Sequence, residues 1–298
     1  MRCLAPRAPA EGDGRGGMRL HAPAKINLDL HVGPPRADGY HPLDSLVAKV
    51  TLYDEIHLAR RPDGGIRFAC EGADCGPDER NLARRAAQRL CERARPGHGA
   101  DIRLVKRIPP GAGLGGGSSD AAAVLSGLNA LWDLGLPEAE LSELAAGLGS
   151  DVPLFLAGAG VHMTGRGERT RAVELPDFHA LLILPPLSCA TAEVYRAYDE
   201  GPAPARPGRP ACRPPSGPPS GWRDGLHNDL AEPACRMCPE LGRIRAELAR
   251  RLSAPVHVSG SGSGLFVLCD DEAELTRVAA ELGGDSPGRV LAVRRNPW

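Results

Sequence analysis

Residues 109–121 read PPGAGLGGGSSDA, with five glycines between positions 111 and 117 and two serines directly behind them. Glycine loses more chain freedom on ordering than any other residue, so such density marks backbone that needs positive φ or a close neighbour. The residues before it, DIRLVKRI (101–108), space Ile102, Leu104 and Ile108 as a strand does, and those after it, SSDAAAVLSGLNALWDL (118–134), have helical character. The segment is strand, glycine loop, helix.

Three ligand chemistries use such a loop. Gly111, Gly113 and Gly116 satisfy G-x-G-x-x-G, but a dinucleotide fold requires a strand ending in an acidic residue about 20 positions on. Here WDLGLPEAELSEL (132–144) runs from one helix into another, so that reading loses. A P-loop requires lysine where Gly117 stands. What remains is a nest of backbone N–H groups at a helix N-terminus, an anion site whose cation comes from elsewhere in the chain. Ser118 and Ser119 add hydroxyls that suit a helix cap, a phosphate contact or a metal ligand. A bare turn uses one or two glycines rather than five.

Outward from the loop the chain alternates unevenly between strands and helices. MRLHAPAKINLDLHV (18–32) reads as a strand interrupted by Pro23, LVAKVTLYDEIHLAR (46–60) as a second and GGIRFAC (64–70) as a third. ERNLARRAAQRLCERA (79–94) is helical, with Leu82, Ala86, Leu90 and Ala94 on one face. HALLILP (179–185) opens a second domain, TAEVYRAYDE and PELGRIRAELARRL follow as helices, and PVHVSGSGSGLFVLC (255–269) resembles a hairpin. A last helix, DDEAELTRVAAEL, and a last strand, RVLAVRR, complete an α+β pattern without tandem repeats. Residues 201–222 are proline- and glycine-rich and read as a flexible insertion. Residues 1–17 read as a disordered leader, which leaves Met18 as an alternative start.

Composition excludes several classes. The chain has 298 residues, 42% hydrophobic and 24% charged, with a formal net charge of -1. Such a balance offers no basic surface for nucleic acid, and 4% aromatics leave little for base stacking. No stretch has the ~20 apolar residues of a membrane helix or the apolar core of an export signal, so the expected location is the cytoplasm. Nine scattered cysteines are an odd number and read as thiols rather than a disulfide framework. Cys235 and Cys238 have zinc-like spacing but no histidine pair nearby. Only three of the 36 basic residues are lysines, at 25, 49 and 106, so each is worth attention.

PPGAGLGGGSSDAA (109–122) resembles the second motif of the GHMP kinases, a family of ATP-dependent small-molecule kinases. APAKINL (22–28), RADGYHPL (36–43), GSDVPLF (149–155) and SGSGSGLF (259–266) follow the family's order from about residue 19 to the C-terminus. The triple glycine and the DGYH loop narrow the resemblance to the branch acting on a cytidine diphosphate-linked polyol in the methylerythritol phosphate route to isoprenoids. The resemblance implies a two-domain α+β fold, with an N-terminal domain like one of a small-subunit ribosomal protein and a ferredoxin-like C-terminal domain. Their expected bounds are 18–175 and 176–298.

It also implies the site. Pro109, Pro110, Gly111, Ala112, Gly113, Leu114, Gly115, Gly116, Gly117, Ser118 and Ser119 hold the ATP phosphates. Lys25 and Asp151 are the catalytic pair, the aspartate taking the alcohol proton and the lysine offsetting charge on the transferred group. Tyr40 stacks on the cytosine, His41 binds its edge, Tyr195 covers the opposite face where the family often has phenylalanine, and Asn27 and Thr191 are polar contacts. Mg²⁺ accompanies ATP, held by the phosphates and by Ser118 or Ser119, since no acidic cluster marks its place. The expected assembly is a monomer or homodimer. Other GHMP kinases, acting on homoserine or mevalonate, and a non-catalytic nucleotide-binding protein are the rival readings.

Overall fold

The computed structural model describes residues 11–12, 17–72, 78–94, 97–202 and 212–298. Seven strands form the first sheet: β1 (Glu11–Gly12), β2 (Met18–Val32), β3 (Leu43–Arg61), β4 (Ile66–Gly72), β5 (Gly99–Lys106), β6 (Gly160–Gly165) and β7 (Arg169–Val173). The long β3 is its spine. β2 runs antiparallel beside it, while β6 pairs with residues 43–48 and β5 with residues 55–61 on the other edge. Helices α1 (Leu82–Arg93), α2 (Gly116–Leu131) and α3 (Glu138–Ala146) cover one face. The second sheet has the order β11-β8-β10-β9, all antiparallel: β8 (His179–Leu184), β9 (His257–Val258), β10 (Leu265–Cys269) and β11 (Arg289–Arg294). Its helices are α4 (Thr191–Asp199), α5 (Ala231–Met237), α6 (Pro239–Arg251) and α7 (Glu272–Leu282).

β2 shows how the two sheets join. Leu20 and Ala22 pack beneath the helices with Leu125 and Leu128, whereas Ala24, Ile26 and Leu28 pack with Phe178, Leu182 and Phe266 of the second half. The change comes at a bulge where Thr51 and Leu52 of β3 have no partner on β2. β2 is covered on both faces there, which is why residues 24–28 are all buried.

Pro23 does not interrupt the strand, contrary to the sequence reading. Lys25 donates its N–H away from β3, to Leu114 O at 2.9 Å. By strand alternation Pro23 presents its missing N–H to that same edge, where no ladder bond is lost. α1 starts as its cap predicts, with Asn81 accepting from Ala83 N at 3.0 Å. Its buried stripe is Ala83, Ala86, Ala87 and Leu90, which includes Ala86 and Leu90 of the expected face, and Leu82 and Ala94 pack partly buried against the same core.

β6, β7 and α5 were not legible as separate elements. Residues 1–10, 13–16 and 203–211 of the expected leader and insertion lie outside the described residues. The end of the insertion, 212–222, is largely exposed but anchored at a few points. Cys212 and Pro219 are buried, and Ser220 donates through N and Oγ to Asp270 at 2.7 and 2.6 Å. Cys70 is disulfide-bonded, which the cysteine pattern did not suggest. Among the described residues no helix is long and apolar enough to cross a membrane.

Candidate active site

A cavity of about 430 Å³ opens where the glycine loop, β2 and the later glycine stretch 259–264 converge. Residues 109–118 all line it. Within the loop the residues alternate: Gly111, Gly113 and Gly115 have φ near +70°, while Ala112 and Leu114 are buried in the core between the sheets. Gly113 is pinned most tightly, since a Cβ there would lie 2.0 Å from Ser259 O. The loop's carbonyls are taken up from behind by the later stretch. Ser263 N donates to Gly111 O (3.2 Å), Gly264 N to Ala112 O (3.1 Å) and Ser259 Oγ to Gly113 O (3.0 Å). With the acceptors thus occupied, the first turn of α2 presents its free N–H groups beside the cavity. Over Gly117 a Cβ would meet nothing closer than Leu82 at 3.9 Å, so that space is left for something outside the chain. Ser118 lines the cavity, whereas Ser119 is buried and its hydroxyl has no hydrogen-bond partner.

Lys25 lines the same cavity as the glycine loop. It is 5% exposed and donates from Nζ to Asn27 Oδ1 at 2.5 Å. Asn27 in turn donates to Ser45 Oγ at 2.8 Å, and Ser45 to Asp29 O at 2.7 Å, so the amide is locked with its oxygen toward the ammonium. Gly260 packs onto this pair, since a Cβ there would sit 3.1 Å from Lys25 Nζ. Burial pulls the Lys25 pKa down, and the negative charge of Asp151 opposes that shift. Asp151 lines the same cavity, placed by the turn after α3 and just ahead of the 3₁₀ turn Pro153–Phe155. Behind that turn Lys49 donates to Phe155 O (3.0 Å) and Ala157 O (2.6 Å), tying the Asp151 segment to β3.

The third lysine forms a site that the sequence did not reveal. Lys106 pairs with Asp54 and, at 2.7 Å, with Asp120, all three being buried. Asp54 also accepts from Arg107 N and Ile108 N, which fixes the strand end from which the loop departs. Burial raises the Asp120 pKa, with neighbouring Asp54 adding to the rise and Lys106 opposing it. Asp54 lies 52 residues away from Lys106, and no local pattern links them. Asn228 was also missed; it holds the later stretch in place by donating to Val258 O (2.9 Å) and Gly260 O (2.8 Å).

The expected polyol-side residues are only partly gathered. Thr191 and Tyr195, at the start and middle of α4, line the cavity, and Thr191 Oγ1 lies 3.0 Å from Ser261 Oγ. Burial raises the Tyr195 phenol pKa, and Asp151 and Tyr198 add to it, so the hydroxyl stays protonated. His41 meets Tyr195 with ring centroids 5.3 Å apart and is buried, its Nδ1–H donating to Gly33 O at 2.8 Å. Tyr40 does not line the cavity. It is 52% exposed, with the Arg166 guanidinium 4.7 Å above its ring.

Comparisons with known proteins agree on one family. The family model of the GHMP kinases N terminal domain matches residues 81–159, and that of the GHMP kinases C terminal region matches residues 219–285. A protein of Syntrophotalea carbinolica named 4-diphosphocytidyl-2-C-methyl-D-erythritol kinase is 41% identical over 276 residues, 91% of this chain and 96% of that protein. One of the same name from Pelotomaculum thermopropionicum is 40% identical over 262 residues, 87% of this chain and 91% of the relative. A crystal structure of 4-(cytidine 5'-diphospho)-2C-methyl-D-erythritol kinase superposes with a TM-score of 0.74 at 38% identity, covering 94% of this chain and all of that one. The chain belongs to the GHMP kinases, within the family of the 4-diphosphocytidyl-2-C-methyl-D-erythritol kinases.

Proposed function

We propose that the chain is an ATP-dependent kinase that phosphorylates the 2-hydroxyl of 4-diphosphocytidyl-2-C-methyl-D-erythritol. The observation that carries this reading is the buried Lys25 ammonium, held against Asn27 and Gly260 at the cavity mouth of the glycine loop, with Asp151 on the same cavity. Phosphoryl transfer asks the protein chiefly for positioning and charge stabilisation. The loop N–H groups and the α2 N-terminus hold the triphosphate. Lys25 offsets charge on the group in flight, and Asp151 accepts the proton of the attacking hydroxyl. Such general-base assistance is worth ~10²–10⁴ in rate.

Mg²⁺ fits this cavity as a companion of the nucleotide, with Ser118 as the one loop hydroxyl that faces it; the ion supplies charge neutralisation of the phosphates. Asp120 also lines the cavity, its Oδ2 paired with Lys106 and its Oδ1 without a hydrogen-bond partner, so it joins Ser118 as a candidate ligand, whereas Ser119 is sealed away. For the cytidine end, Tyr195 and His41 are the candidate base contacts. Tyr40 joins them by swinging from beneath Arg166, a movement its exposure permits.

A coupled ADP-release assay tests the substrate. With 4-diphosphocytidyl-2-C-methyl-D-erythritol the protein turns over, and with homoserine or mevalonate it does not. Activity confined to either of the latter contradicts the proposal.

A further inference from the structure

Outside the cavity, two overlapping groups of side chains among the described residues have the donor types of a metal centre, and one of them includes a thiol. Asp29 and His31 lie on β2, four and six residues past Lys25, and Cys212 comes from the anchored end of the proline-rich insertion. A carboxylate oxygen, an imidazole nitrogen and Sγ of these three all lie within 4.8 Å of one another. His31 Nε2 is 3.2 Å from Asp29 Oδ2, and Asp29 Oδ1 is sealed from solvent with no hydrogen-bond partner. Cys212 is 6% exposed and sits against Asp44, whose backbone carbonyl is 3.4 Å from Sγ.

The other side of His31 faces a second carboxylate. Asp229 Oδ2 stands 4.0 Å from Nδ1 and accepts from Val32 N at 2.9 Å, while its Oδ1 accepts from His227 Nε2. At that distance Asp229 is not yet hydrogen-bonded to Nδ1, and a small approach would make it the outer partner of a ligating histidine, with Nε2 on the Asp29 side left for the metal. A second grouping of His31, His227 and Asp229 also lies within reach, but it would spend an aspartate whose oxygens already have partners.

We propose that Asp29, His31 and Cys212 bind a divalent transition metal, zinc by its donor set, which staples the end of the insertion to β2. Thiolate, imidazole and carboxylate suit zinc in four-coordinate geometry, with water as the fourth ligand. The thiol proton leaves as the Zn–S bond forms, so binding releases one proton to solvent and involves no redox change. The consequence is structural: the chain after residue 211 becomes anchored to the strand that carries Lys25 and Asn27.

Cobalt(II) titration of the reduced, metal-free, full-length protein tests this. One equivalent is expected to bind, with a thiolate-to-cobalt charge-transfer band and tetrahedral ligand-field bands, and zinc displaces it. The band disappears in Cys212→Ser, affinity falls at least ~10-fold in His31→Gln, and Asp229→Asn weakens binding by ~10–100-fold. Cys235→Ser with Cys238→Ser leaves the spectrum unchanged. Circular dichroism of the metal-free variants establishes that they are folded. If Cys212→Ser does not fold, the weakened affinity in His31→Gln decides the matter. Binding without a thiolate band, a band that persists in folded Cys212→Ser, undiminished affinity in His31→Gln, or a band that depends on Cys235 and Cys238 overturns the proposal.

Discussion

All three lysines of the chain are buried, and their surroundings give them different charge behaviour. Lys106 sits between Asp54 and Asp120, whose charges outweigh the effect of burial and raise its pKa. Lys49 has the carbonyl oxygens of Phe155 and Ala157 and the Phe155 ring against it, and burial pulls its pKa down to about 7. Lys25 is lowered by burial as well, with Asp151 in opposition. An amine whose folded pKa lies below its unfolded value costs the native state most where both states hold the proton, and that cost is relieved as pH rises from the folded to the unfolded pKa. Between pH about 7 and about 10 stability therefore rises with pH, by roughly 2–4 kcal/mol for Lys49 alone. Urea unfolding across that range measures it. Lys49→Met flattens the slope, and a wild-type stability that is level or falling contradicts the assignment.

At the scale of elements, the glycine loop combines two demands that separate variants can resolve. Gly113 serves the fold, since its φ of +68° and its approach to Ser259 O leave no room for a side chain. Gly117 has neither constraint and borders the cavity. Gly113→Ala is expected to lower thermal stability, with at least ~1–2 kcal/mol lost to left-handed backbone alone. Gly117→Ala keeps the melting temperature but weakens ATP binding about tenfold, near 1.4 kcal/mol. Calorimetric ATP titration together with thermal melts separates the two, and undiminished affinity in Gly117→Ala would sink the reading of the loop as a phosphate cradle. The loop was legible in the sequence because its conformation is local: positive φ demands glycine, and a helix follows at once. Its support was not legible. The carbonyls of residues 111–113 are satisfied by residues 259–264, and that pairing has no trace in either segment alone. The SGSGSG stretch entered as one of the motifs of the family resemblance, but its contact with Lys25 through Gly260 emerges only in three dimensions.

At the scale of the whole molecule, two sheets share a core through β2 and β3, and the cavity lies along the β2 edge between them. Among the strands of those sheets, β2, β3 and β5 were legible from the sequence and β10 as part of a hairpin, whereas HALLILP, which became β8, reads only as the opening of a second domain. β6 and β7 were not legible, because GVHMTG and RTRAV are short and polar, and they gain their order by pairing in series onto the β3 edge. Tyr40 shows the limit on the site itself. Its motif placed it on a base, whereas in this structure its ring lies under Arg166. The central claim is that Lys25 and Asp151 transfer the γ-phosphoryl group within this cavity. It is tested most directly by single-turnover transfer from γ-labelled ATP to 4-diphosphocytidyl-2-C-methyl-D-erythritol in wild type and Asp151→Asn, alongside ATP affinity. The account predicts that transfer falls by ~10²–10⁴ while ATP affinity stays within about threefold. Transfer at a near-normal rate in Asp151→Asn would contradict it.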